Sequence, residues 1–230
     1  MVGCLTRWDV GARLAPIIAA TPGEPMLREV RLETVLEVCR WDLDIAEQLA
    51  AGWDGDPGSL PRTIEEAGKA LGKSPGVIPR IGRSAASQPD ERLLDHWDEG
   101  RVDLWHRECA ASPFDLLDQP NGIEHAVWAA QARVLLPWIE VRRRELLRRL
   151  SDRYGDAVGR AAAALDGAGR TPLEVGPLYQ VARELVPRTE PALRDAARQL
   201  MIGRNRLAHL QSLTVADQSE LTRAYSTLHG

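Results

Sequence analysis

Lysine is nearly missing from this chain. Lys69 and Lys73 are the only two among 29 basic side chains, which leaves 27 arginines. Positive charge is therefore carried almost wholly by guanidinium, a planar fork of donors suited to carboxylates and phosphates. The base composition of a genome produces the same bias, so arginine content alone is not read as nucleic-acid binding. Cysteine is scarce too: Cys4, Cys39 and Cys109 make an odd count with no CxxC pair. That argues against a disulfide framework and implies a reducing, cytoplasmic setting. No apolar run approaches the roughly 18 residues that a membrane span needs, so no membrane partner is expected. The stretch "MVGCLTRWDVGARLAPIIAATPGE" holds an apolar patch too short and too interrupted for a secretory signal. There is no Gly-rich phosphate loop and no Ser–His–Asp pattern, and no cofactor is expected. His106 and Cys109 stand at a metal-like spacing, but no second pair completes four ligands, so no metal site is expected.

What is present suits a globular protein. The 230 residues, 44% hydrophobic and 27% charged, are enough for one large or two small domains with a real core. The net charge of −4 hides an asymmetry. Residues 1–122 carry 13 basic and 21 acidic side chains, a net of −8, while residues 123–230 carry 16 and 12, a net of +4. The C-terminal half is thus the part able to approach a polyanion.

Few runs alternate with a strand's period, so the expected class is all-α. Residues 24–51 read as one helix, with Leu27, Val30, Thr34, Val38, Trp41, Ile45 and Leu49 at three-to-four spacing. "GWDGDPGSLP" stops it, and residues 52–90 form a Gly/Pro-rich connection with one short helix near 62–71. "PDERLLDHWDEGRVDLWHRECAAS" is expected to add one or two helices. A boundary near "PFDLLDQPNG" separates an acidic helical accessory region, 1–120, from a helical bundle, 121–230. In the bundle a long amphipathic stretch over 123–154 should kink or split at Pro137. A short helix over 155–166 follows, then three helices with expected N-caps at Thr171, Thr189 and Thr214. The tryptophans Trp8, Trp41, Trp53, Trp97, Trp105, Trp128 and Trp138 are read as core or inter-domain packing.

The chemistry concentrates in "IGRNRLAHLQ", residues 202–211. Asn205 and His209 are four apart and share a helix face, and Arg204 adjoins them. A guanidinium can hold phosphoryl oxygens, and an imidazole titrates near neutral pH and can move a proton. "RNRLAH" resembles the R-N-x-x-x-H signature of the HEPN superfamily, and the flanking helices follow the order found in such domains over about residues 123–230. The resemblance implies a HEPN-like up-and-down bundle and a metal-independent endoribonuclease that acts as a homodimer on RNA, leaving a 2′,3′-cyclic phosphate. Many such proteins are toxins or anti-phage defence effectors. It also implies roles: Arg204 and His209 catalytic, and Asn205 orienting the histidine or the substrate.

Arg143, Arg144, Arg148 and Arg206 are the candidate RNA-backbone contacts, from the basic run 142–149 and from the motif itself. Glu140 is a candidate support for an active-site arginine, with an ordinary within-helix pair to Arg144 as its competing role. The acidic N-terminal half is the expected seat of a regulatory protein partner. Two other functions fit the sequence. One is a non-catalytic helical module docking a larger defence or signalling protein. The other is a DNA-binding regulator through residues 62–85, whose helix-turn-helix cadence is weakened by Pro79, Gly76 and Gly82.

Overall fold

The computed structural model describes residues 6–73, 91–105, 108–166 and 173–226. These are mostly helical, and they divide into two compact units, residues 1–130 and 131–230. The division falls inside a helix and not at the expected boundary after residue 120.

The first unit begins with α1 (Arg7–Ala19), α2 (Pro25–Cys39), α3 (Leu43–Gly52) and α4 (Leu60–Ala70). Thr6 opens α1 through a capping box with Asp9, satisfying two backbone donors that the first turn leaves orphaned. Val10, Leu14 and Ile18 then recur every fourth residue and are buried. The stretch expected as one helix over 24–51 is two. Arg40 takes a positive φ of 53°, and Asp42 restarts the chain by accepting the Ile45 amide. Without a glycine or proline at the break, the spacing ran on through it.

A 3₁₀ turn (Glu91–Leu93) and α5 (Leu94–Asp98) lead to a hairpin of β1 (Val102–Trp105) and β2 (Glu108–Ala111), antiparallel with Val102 opposite Ala111. This corrects the all-helical expectation for that stretch. Trp41 anchors the hairpin by donating its indole N–H to the Ala110 carbonyl at 2.8 Å. After α6 (Pro113–Asp118), the start of α7 (Gly122–Tyr154) places Ile123, Ala126 and Val127 in the core of this unit.

The second unit comprises α7 from residue 131, α8 (Asp156–Asp166), α9 (Val175–Leu185), α10 (Pro191–Ala208) and α11 (Val215–Ser226). Pro137 does not split α7, which runs through it. Leu135, Ile139, Leu146 and Leu150 are fully buried along one side, whereas Val141 is exposed. The caps fall partly where expected. Thr214 and Asp217 form the reciprocal pair that opens α11. For α10 the cap is Glu190 and not Thr189, with no side-chain bond, and Pro191 takes the first helical position. For α9 it is Glu174, and Thr171 lies outside the described residues. So do His106 and most of the 62–85 stretch beyond α4.

Of the tryptophans, Trp41, Trp53 and Trp105 are buried, but Trp8 is 83% exposed, against the expectation of packing. No helix among the described residues is long and apolar enough to cross a membrane.

Candidate functional site

α10 carries the motif because its apolar face ends in a close approach. Ala196, Ala197, Leu200, Gly203 and Leu207 are its buried positions. A Cβ at Gly203 would meet Leu221 at 3.4 Å and Ile139 at 3.5 Å, so the missing side chain lets the last turns of α10 lie tightly on α7 and α11. Burying Gly203 and Leu207 turns Arg204, Asn205 and His209 outward, and all three are exposed. None of the three side chains hydrogen-bonds or pairs with a described residue. His209 is the C-cap, its amide donating to the Asn205 carbonyl at 3.1 Å, which holds Asn205 and His209 on one face.

The turn after His209 is closed by backbone bonds from both following residues. The Leu210 amide donates to Leu207 O and the Gln211 amide to Arg206 O at 2.9 Å. This is the Schellman arrangement, whose left-handed position is filled here by Leu210 at φ 59° in place of glycine.

Two residues that the sequence offers as RNA contacts are engaged with other side chains, one of them inside the fold. Arg143 is buried: Nε and Nη2 donate to Glu140 at 2.8 and 2.7 Å, and Nη1 donates to the Leu173 carbonyl at 2.6 Å. Arg206 pairs with Asp217. Burial pushes the Asp217 carboxyl up, but hydrogen bonds from Thr214 and the Arg206 charge outweigh it, and its pKa is lowered. Arg143 is therefore corrected from a ligand contact to a structural one, while Arg206 keeps a side chain 40% exposed beside its ion pair. Arg144 and Arg148 do stand in solvent, paired to Glu140 at 2.8 Å and to Asp152 at 3.3 Å. Exposed pairs of this kind contribute little to stability. Glu140 serves Arg143 and Arg144 at once. Hydrogen bonding from Arg143, then Arg144, holds its pKa down to about 2. It touches neither Arg204 nor His209 in any bond the structure makes among the described residues.

One residue near the site was missed. Gln131 on α7 is buried, donates Nε2 to the Leu213 carbonyl at 2.8 Å, and accepts the Leu213 amide at 2.6 Å. The sequence signal was available: Gln131 sits four residues after Val127 and four before Leu135, a polar side chain in an apolar stripe. Also unforeseen is the packing of Arg142 over the Tyr225 ring, 4.5 Å from its centroid, and over Trp138 at 5.3 Å.

Two grooves of about 610 and 740 Å³ lie along α1–α2 and α7–α8, and neither is lined by Arg204, Asn205 or His209. Among the described residues no cluster of three or more His, Cys, Asp or Glu could hold a metal ion. Compared with family models, curated proteins and solved structures, the chain matches none.

Proposed function

We propose that the chain is an endoribonuclease whose reacting groups are Arg204 and His209, with Asn205 beside them, and that two copies pair to complete the site. The observation that carries this is a contrast among the basic residues of α7 and α10. Arg206 is tied to Asp217 and Arg143 to Glu140, while Arg204 and His209 project outward uncommitted to any described side chain.

The chemistry follows from those groups. An imidazole takes the proton from the ribose 2′-hydroxyl. The 2′-oxygen attacks phosphorus, and the bond from phosphorus to the 5′-oxygen breaks. A second imidazole, protonated, supplies the proton that the leaving oxygen needs, and the products are a 2′,3′-cyclic phosphate and a 5′-hydroxyl. Guanidinium donors offset the charge that builds on the phosphoryl oxygens. The single motif histidine, His209, cannot be base and acid in the same step. A two-fold pair supplies both. Arg144 and Arg148, on solvent-facing positions, are the candidate backbone contacts.

The test is cleavage of RNA by the purified chain, with and without chelator. His209→Ala and Arg204→Ala should each lower the rate at least about a hundredfold, with the fold kept. A substrate with 2′-hydrogen should resist. If either variant cleaves at the parent rate, the proposal fails. A chain that is monomeric by light scattering at micromolar concentration and still fully active would remove the paired site. Expression of the parent, but not of His209→Ala, should slow cell growth if the enzyme acts as a toxin.

A further inference from the structure

We infer that Gln131 is the positioning residue of the Arg204/His209 site, a clamp that fixes the turn on which His209 is carried. This rests on the ribonuclease reading above. Leu213 is buried in the connection between α10 and α11, where the backbone of neither helix pairs with its own. A buried peptide group left unpaired is costly, so both its donor and its acceptor need partners. The Gln131 amide supplies both, at 2.6 Å to the Leu213 nitrogen and 2.8 Å to its oxygen, and Gln218 Nε2 adds a second donor to that oxygen at 3.1 Å. Only one orientation of the Gln131 amide satisfies both bonds, so the side chain has no alternative flip.

The chain between His209 and Leu213 is then held at both ends. On the α10 side it is fixed by the turn closed on Arg206 O and Leu207 O, with Leu210 in the left-handed region. On the α11 side it is fixed by Asp217, which accepts from the Thr214 amide at 3.0 Å and pairs with Arg206. Gln131 supplies the central fixed point. A helix end with a non-glycine residue in the left-handed region is prone to unwind, and the clamp opposes that. Displacing a reacting group by about 1 Å is enough to cost about a hundredfold in rate.

The test compares Gln131→Leu and Gln131→Glu in the full chain. Leucine removes both bonds. A protonated glutamic acid can donate one bond and accept one, as the amide does, whereas its carboxylate can only accept. Three readouts are taken at about pH 5.5 and about pH 8, each relative to the parent at the same pH, a window in which a carboxyl buried at this place changes state. They are hydrogen exchange of the Leu213 amide, the NMR titration of the His209 ring, and kcat and KM on RNA.

Gln131→Leu should lower kcat about 10- to 100-fold with KM within about twofold, speed Leu213 exchange, and shift or broaden the His209 signal. Gln131→Glu should show the same defects at the higher pH and recover at the lower. If Gln131→Leu does not fold, the two-pH comparison on Gln131→Glu alone decides. Parent-like kcat in Gln131→Leu, or the absence of acid recovery in Gln131→Glu, overturns the inference. If the parent cleaves no RNA, the ribonuclease reading falls, and the clamp is judged by the other two readouts: an unchanged His209 titration and unchanged Leu213 exchange overturn it, altered ones sustain it.

Discussion

Leu210 occupies a backbone conformation that glycine would hold without strain, and its own side chain is 65% exposed. A leucine in the left-handed region costs about 1 kcal/mol relative to glycine, and little buried apolar area is lost with the side chain. Leu210→Gly should therefore raise stability by about 0.5–1 kcal/mol, read as an upward shift of the midpoint in denaturant unfolding; a downward shift would mean that the side chain makes a contact worth more than the strain. With Leu210 in that place, the usual glycine marker of a helix end is missing after α10. Arg143 was misread because five arginines crowd residues 142–149, and charge type does not separate them. Spacing does: Arg143 lies four residues after Ile139 and three before Leu146, both fully buried. Glu140→Gln should take from the buried guanidinium the carboxylate that hydrogen-bonds it, leaving the Glu174 charge. With solvent screening of the half-exposed Glu140, this should destabilise the second unit by about 1 kcal/mol near neutral pH. Because the folded carboxyl titrates at about 2, below its ordinary 4.5, its stabilisation is present above about pH 4.5 and lost as the pH falls toward 2. Parent and variant unfolding midpoints should thus converge on acidification; a gap that stays constant would remove Glu140 as the cause.

The buried side of α7 was legible from period, and the start of α11 from Thr214 as its expected cap, whereas α1 was not read as a helix because its short apolar run was weighed only as a secretory signal. The two four-residue strands were not legible, because "VDLW" and "ECAA" are too short to show alternation and are held by a distant partner, Trp41. Packing between elements gives sharper tests. Gly68 on α4 lies under Phe114 of α6, where a Cβ would fall 1.9 Å from Cζ of a ring that is only 4% exposed. Gly68→Ala should cost about 1–3 kcal/mol by overpacking despite alanine's better helix propensity. A neutral or stabilising result in thermal unfolding would show that the ring moves aside at no cost. On the same helix, burial raises the Asp115 carboxyl to about 6, helped by Asp118 and opposed by Arg101, Arg40 and His96. A folded pKa above the ordinary 3.8 means that the folded state holds the proton more tightly. The associated stability is complete below about pH 3.8 and is lost as the pH rises through about 6. Asp115→Asn should flatten that dependence between about pH 4 and pH 6. Melting curves that keep the parent's slope would place the titration elsewhere.

At the scale of the whole chain, α7 is the one element shared by both units, its first nine residues in one and the rest in the other. The motif and its clamp lie wholly in the second unit, while the excess acidic charge lies in the first. Cutting before α7 would strip Ile123, Ala126 and Val127 of the core they belong to. A fragment of residues 122–230 should therefore aggregate at micromolar concentration, and Ile123→Glu with Val127→Glu should restore a monodisperse species by light scattering. That repaired fragment allows a test of charge. Removing residues 1–121 deletes a net of −8 from a chain whose remainder is basic. If the acidic unit restrains RNA binding by repulsion, the fragment should bind RNA more tightly than the full chain at low salt. The advantage should fade as ionic strength rises and the Debye length shrinks from about 10 Å at 0.1 M toward about 3 Å at 1 M. The two added glutamates work against the effect, so a gain in affinity cannot be attributed to the repair. Equal affinity of fragment and full chain at every salt concentration would show that the charge imbalance has no bearing on RNA, and would leave the first unit to be explained by a protein partner.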